Sequence, residues 1–116
     1  MPCNAEFGII DSIDTDLLKE YDYEPKRYGC TAIDDDALEG WQERLLEMES
    51  YFHRLGRPEH GLARWGITLI PPRSLALFYD IVKNDTDIKF SDQAEGLLLK
   101  IEEAMRCEKF MIHYGV

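Results

Sequence analysis

One stripe of apolar residues limits the folding choices of this chain more than any other feature. Leu38, Trp41, Leu45, Met48, Phe52 and Leu55 are separated by steps of 3, 4, 3, 4 and 3 positions. That spacing places side chains along one face of an α-helix. Asp34, Asp35 and Asp36 precede the stripe, and Asp36 followed by Glu39 fits a capping box with Asp in the cap position. Gly56 and Pro58 follow it as stop signals. The pattern predicts one helix from Asp36 to Leu55.

The rest of the chain is read around that helix. Glu6–Ile10 (EFGII) is a short apolar run and a predicted strand, ended by the turn formers of Asp11–Asp16 (DSIDTD). Leu17–Tyr28 is polar and aromatic, and Pro25 forbids a long helix there, so it reads as a loop with at most one helical turn. Tyr28–Ile33 (YGCTAI) is a second predicted strand. Beyond the central helix, Gly56–Arg64 reads as a loop and Trp65–Ile70 (WGITLI) as a strand. Gly66 in that run suggests a close backbone approach or a bulge. Pro71-Pro72 ends the strand and opens a helix that turns Leu75, Phe78, Ile81 and Val82 inward. Asn84–Lys89 reads as a turn. Ser91 then caps a third helix with Ala94, Leu97, Leu98, Ile101 and Met105 on its inner face, and Lys109–Tyr114 (KFMIHY) closes the chain as a strand.

The predicted order is therefore β-β-α-β-α-α-β. Two helices separate Trp65–Ile70 from the last strand, a connection long enough for a right-handed parallel crossover. This reads as an α+β fold with a mixed sheet of about four strands and three helices packed mainly on one face. At 116 residues the chain suits one domain, and it can bury roughly two-thirds of its unfolded surface. No repeat, low-complexity tract or linker divides it, so residues 1–116 are read as a single domain. A hydrophobic share of 45% suits a packed core rather than a disordered chain.

Charge is distributed unevenly. Eleven of the 23 acidic residues, but only three of the 13 bases, lie in the first forty positions, and the chain as a whole carries −10. This balance argues against nucleic-acid binding, which needs a basic footprint. It favours a basic protein as partner, drawn in by the negative field. No apolar run is long enough for a membrane span, and no secretory leader is visible. Cys3, Cys30 and Cys107 are odd in number and widely spaced, as expected of reduced thiols in a cytoplasmic protein. Cys30 and Cys107 lie in apolar-patterned segments and are assigned to the core, Cys3 to the surface.

Three groups of residues stand out as candidate sites. Tyr21, Asp22, Tyr23 and Glu24 alternate rings with carboxylates, with Tyr28 close behind. Such a segment suits charge pairing and cation–π contact with an arginine- or lysine-rich surface. The plainer reading is that the rings cover the edge of the core while the acids face water. Asp34, Asp35 and Asp36 sit at a strand-to-helix junction, where the helix dipole alone favours carboxylates. The functional alternatives there are a contact patch, or metal ligands joined by Asp11, Asp14 and Asp16. Consecutive aspartates seldom converge on one ion, however, and the EF-hand spacing is absent. The third group, Arg54, Arg57, His60, Arg64 and Arg73, with His53 nearby, forms an opposite pole. It can hold an anion or pair internally with the acidic N-terminal region.

No zinc-type pairing of histidine and cysteine occurs, no nucleophile elbow, and no glycine-rich phosphate cradle. The sequence assigns no catalytic residue, metal or cofactor, and an enzyme is the less favoured class. In bulk character, the chain resembles bacterial immunity and inhibitor proteins, which are small, acidic and cytoplasmic. The resemblance implies a protein-binding domain that docks a basic partner through its acidic, tyrosine-containing N-terminal patch. Two alternatives stand beside it. One is a small enzyme or anionic-ligand binder using the loop 53–73. The other is a homo-oligomeric structural module.

Overall fold

A computed structural model describes residues 4–63, 66–84 and 91–115. Cys3, Arg64 and Trp65 lie outside the described residues. So do the predicted Asn84–Lys89 turn from residue 85 onward and the Ser91 side chain predicted to cap the third helix. Among the described residues the chain forms six strands and four α-helices. These are β1 (Asn4–Ile10), β2 (Thr31–Asp34), α1 (Asp35–Glu39), α2 (Gln42–Leu45), β3 (Glu49–Phe52), β4 (Pro58–His60), β5 (Gly66–Ile70), α3 (Leu75–Lys83), α4 (Ser91–Arg106) and β6 (Phe110–Gly115). A single 3-10 turn, Pro72–Ser74, leads into α3. The strands form one sheet in the order β2-β1-β6-β5-β3-β4, and every pairing is antiparallel.

Two main expectations from the sequence are overturned, and with the first the helix count among the described residues rises from three to four. The first is the long helix from Asp36 to Leu55. The chain is helical only to Leu45 and then enters β3. Leu38, Trp41, Leu45 and Met48 are all buried, as the stripe requires. A step of four, as from Met48 to Phe52, is one helical turn and equally two strand repeats, so the second half of the stripe does not distinguish the two. Pairing decides it: Tyr51 and Phe52 lie across from Leu69 and Thr68 of β5, while the buried Ser50 hydroxyl donates to the Gly61 carbonyl at 2.6 Å. The segment read as a loop beyond Gly56 supplies β4, which pairs with β3 on its other side.

The second is the four-stranded mixed sheet with a parallel crossover. β5 and β6 are antiparallel neighbours. A single connecting helix returns the chain to the starting end of a strand, whereas a pair of helices carries it away and back. Parity therefore reverses β6. Helix packing on one face holds as expected, because α1–α4 bury their apolar sides with Phe7, Ile33, Ile70 and Met111 in the main core. α3 buries Leu75, Phe78, Ile81 and Val82. α4 presents Ala94, Leu97, Leu98 and Ile101 to the core as expected, but Ala104 takes the last inner position and Met105 is exposed. Cys107, assigned to the core, is exposed, and Cys30 is half-buried.

The opposite face of the sheet is also apolar. Ile10, Leu69, Ile112 and Tyr114 form a second cluster there. Residues 11–30, between β1 and β2, cover it as a long strap without regular structure.

Candidate functional site

The strap is built from turns rather than ladders. Asp14 Oδ1 accepts from the Asp16 N–H, and Asp16 Oδ1 accepts from the Leu18 N–H, each at 2.9 Å. Both side chains thus take up backbone donors that a helix would otherwise use. From the end of β1 the strap crosses β6 and β5 to the β3–β4 hairpin, where the Gly56 N–H donates to the Leu17 carbonyl at 2.9 Å. Arg54 of that hairpin also meets Glu20 at 3.3 Å. The return path passes over β6 and ends on β1, where the Ile9 N–H donates to the Tyr28 carbonyl at 3.1 Å. Two glycines let it lie close to the sheet. A Cβ at Gly56 would stand 2.7 Å from the Leu17 carbonyl oxygen, and one at Gly8 would stand 2.7 Å from Cys30 Sγ.

Tyr114 pins the middle of the strap. Its hydroxyl donates to the Asp22 carbonyl at 3.0 Å and accepts from the Glu24 N–H at 3.1 Å. Burial pushes the phenol up to about 12, so it stays protonated and able to donate. Tyr23 packs edge-on against Tyr114, with centroids 4.8 Å apart, and its hydroxyl donates to Glu6 Oε1 at 2.7 Å. That hydrogen bond raises the Tyr23 phenol above its ordinary value. Tyr21 and Tyr28 pack against the second apolar cluster. The plainer reading of the tyrosines thus holds for Tyr21 and Tyr28, which cover core. Tyr23 remains 62% exposed.

Within the strap, against the end of β1, lies a polar cleft of about 610 Å³. Asp11, Asp14, Glu20, Asp22 and Glu24 line it, against Lys19 and Arg27. These two cations lie over strap rings: Lys19 Nζ is 5.8 Å from the Tyr21 centroid, and Arg27 Cζ is 5.6 Å from that of Tyr28. Tyr21, Asp22 and Glu24 of the first candidate group therefore share one cleft, with Tyr23 beside them on the sheet.

The aspartate triplet is separate. The cap role falls to Asp34 and not to Asp36, because Asp34 Oδ1 accepts from the Asp36 N–H at 2.9 Å. The reason is register: β2 runs to Asp34 and the helix begins at once with Asp35. The Asp34 N–H donates to Gln93 Oε1 of α4 at 2.8 Å. Asp35 lines a different groove of about 290 Å³ with Leu38, Leu45, Leu46 and His60. Among the described residues, no three of His, Cys, Asp and Glu are gathered as metal ligands.

The arginines of the loop 53–73 disperse onto separate partners. Arg54 meets Glu20, Arg57 meets Glu59 at 3.8 Å, and Arg73 meets Glu49 at 3.0 Å. Arg73 also donates to the Tyr51 hydroxyl at 2.8 Å, which with Glu49 raises its already high pKa. Among the described residues of this group, only Arg54 pairs with the acidic N-terminal region, and His60 belongs to the groove beside Asp35. Arg64 lies outside the described residues. Gly66 has φ +94°, and a side chain there would collide with the His53 ring, so the close approach suggested by the sequence is present.

Burial governs the ionisation of Cys30 and His113. Burial, with Glu6 nearby, pushes the Cys30 thiol up to about 11. His113 is fully buried beside Phe7, and burial holds it at about 3. Its Nδ1 lies 3.2 Å from the Thr68 hydroxyl, and that oxygen accepts from the Ala63 N–H at 2.7 Å.

Sequence reasoning missed Tyr114 as the anchor and Glu6 as the partner of Tyr23. The signal was present in β6, where Phe110, Ile112 and Tyr114 alternate with Met111 and His113. A strand with large rings and aliphatics on both faces demands cover on both. Among the described residues, no helix is long and apolar enough to cross a membrane. No protein-family model, curated protein or solved structure matches the chain.

Proposed function

We propose that this chain is a protein-binding domain that docks a basic partner through its strap, as inhibitor and immunity proteins do. The observation that carries this reading is the contrast between the strap's fixed inner side and its outer side. Tyr114, Gly56 and Ile9 hold its backbone to the sheet by hydrogen bonds. Outward, it exposes Leu17 (58%), Leu18 (73%) and Tyr23 (62%) beside a cleft lined by five carboxylates. Apolar side chains ringed by charge suit an interface. A loop this long without its own secondary structure is commonly functional. Holding its shape before contact lowers the ordering cost of binding.

Asp22 and Glu24 steer and pair with the partner's bases, and Tyr23 serves as the aromatic anchor. Lys19 and Arg27 over Tyr21 and Tyr28 illustrate the chemistry on offer, since arginines of a partner can take the same places over the rings. Asp34, Asp35 and Asp36 extend the negative field from the neighbouring edge strand but stand outside the cleft. The free thiols of Cys30 and Cys107 suit the reducing cytoplasmic setting of this reading.

The test is capture from the native host at low and high salt, with the partners identified by mass. The expected result is a basic protein enriched at low salt. The Asp22→Lys/Glu24→Lys variant should lose it, and the Asp35→Lys/Asp36→Lys variant should weaken it less. Capture unchanged by the strap reversal, in a variant that melts like the parent, sinks the reading.

A further inference from the structure

A second cleft lies on the other side of Arg27 and Tyr28, and its charge is the reverse of the chain's. It has a volume of about 320 Å³ and is lined by Lys26, Arg27, Lys100 and Lys109, against Asp11 and Glu103. Four of the chain's 13 bases therefore face one small space in a molecule of net charge −10. They come from three parts of the chain: the strap, α4 and the residue before β6. Folding, not local sequence, assembles them.

Two of the four are already engaged. Lys109 meets Asp11 at 2.9 Å, and Arg27 meets Glu24 at 3.2 Å. Lys26 and Lys100 have no ion pair among the described residues. Lys100 Nζ reaches the cleft wall at Gly29, where a Cβ would stand 3.7 Å away. An anion seated in the cleft would pair with the Lys26 and Lys100 ammonium groups.

From this arrangement we infer that the cleft binds a small phosphate dianion, either inorganic phosphate or the phosphoryl group of a phosphomonoester. Lysine ammonium groups act on phosphate as point charges, and the arginine fork adds directional hydrogen bonds. The volume falls at the lower end of small-ligand sites, which suits a phosphoryl group with a small appendage. This cleft shares a wall of Asp11, Arg27 and Tyr28 with the acidic cleft, but the inference does not depend on the strap's docking a protein partner.

The experiment follows backbone amide NMR shifts during titration with inorganic phosphate and, separately, with phosphoserine, at pH 7.5. Sodium chloride at matched ionic strength is the control. Saturable shifts around Gly29 and Lys100 are expected, absent with chloride, and the tighter of the two ligands identifies the source of the phosphoryl group. Lys26→Ala/Lys100→Ala should weaken binding about tenfold or more, and Lys26→Arg/Lys100→Arg should retain it. The inference is overturned if wild-type shifts do not saturate, or if they match those from chloride. It is equally overturned if the alanine pair binds phosphate as well as the parent does.

Discussion

The two faces of the sheet are both apolar, yet they are covered by different means. One lies under four helices whose buried side chains include Leu45, Phe78, Leu97 and Ile101. The other lies under a strap held by turns, a tyrosine hydroxyl and close glycine contacts. Helices satisfy their own backbone, so their cover can be purely apolar. A strap has no such ladder, and its N–H and C=O groups need side-chain partners. Those partners are Asp14, Asp16 and Tyr21 of the strap and Tyr114 of β6. With the backbone held by these groups, the side chains of Asp22, Tyr23 and Glu24 are left on the outer surface.

The sharpest way to break this comparison is to remove a ring from the helical face. Phe7 is fully buried, 5.5 Å from the Phe78 ring and 4.8 Å from that of His113. Phe7→Ala should lower stability by about 3–5 kcal/mol in urea denaturation. A cost below that of the strap substitution described below would reverse the ranking of the two faces.

The next effect depends on pH. His113 is held near 3 by burial, well below its ordinary value of 6.5. Above about pH 6.5 it is neutral folded or unfolded and contributes no pH dependence. As pH falls through that value, the unfolded chain takes up a proton that the folded chain refuses, so stability declines down to about pH 3. The full effect is on the order of a few kcal/mol. Between pH 6.5 and 5, before most carboxylates titrate, the decline should be present in the parent and absent in His113→Leu. Equal slopes in both would show that the imidazole is not held neutral.

The smallest effect sharpens the strap side. Tyr114→Phe keeps the ring and removes the hydroxyl that serves both Asp22 and Glu24. About 1–2 kcal/mol should be lost. Amide exchange at Glu24 should speed up while that of α4 stays unchanged. Uniform acceleration across the molecule would mean that the strap is not an independently pinned unit.

The helical face was largely legible in the sequence because its signals are local. Leu75, Phe78, Ile81 and Val82 repeat at helical spacing, and Pro72 marks the entry. β1 and β6 were legible as short apolar runs. The Asp36–Leu55 helix was misread because a four-residue step satisfies two periods, and only the distant strand β5 selects between them. The sheet order was not legible, since it depends on the parity of a two-helix connection. The strap was recognised as turn and loop up to Arg27 and as the candidate contact segment, but residues 28–30 were read as part of β2, which begins only at Thr31. What fixes it, Tyr114 and Gly56, lies tens of residues away in sequence: β6 shows that its second face needs cover, but nothing local says which segment supplies it. The Arg54–Arg73 pole looked unified along the chain, but β3, β4 and the turn before α3 separate its members in space.

The central claim is that recognition belongs to the strap and not to the helical face. Leu18 on the strap and Leu99 on α4 are similarly exposed, at 73% and 67%, which allows a matched comparison. A photocrosslinking residue is placed at one or the other position and irradiated in host extract at low salt. The account expects a basic protein crosslinked from position 18, lost at high salt and lost with Asp22→Lys/Glu24→Lys, with no such product from position 99. A product from position 99 alone, or one from position 18 that survives the charge reversal, would contradict it.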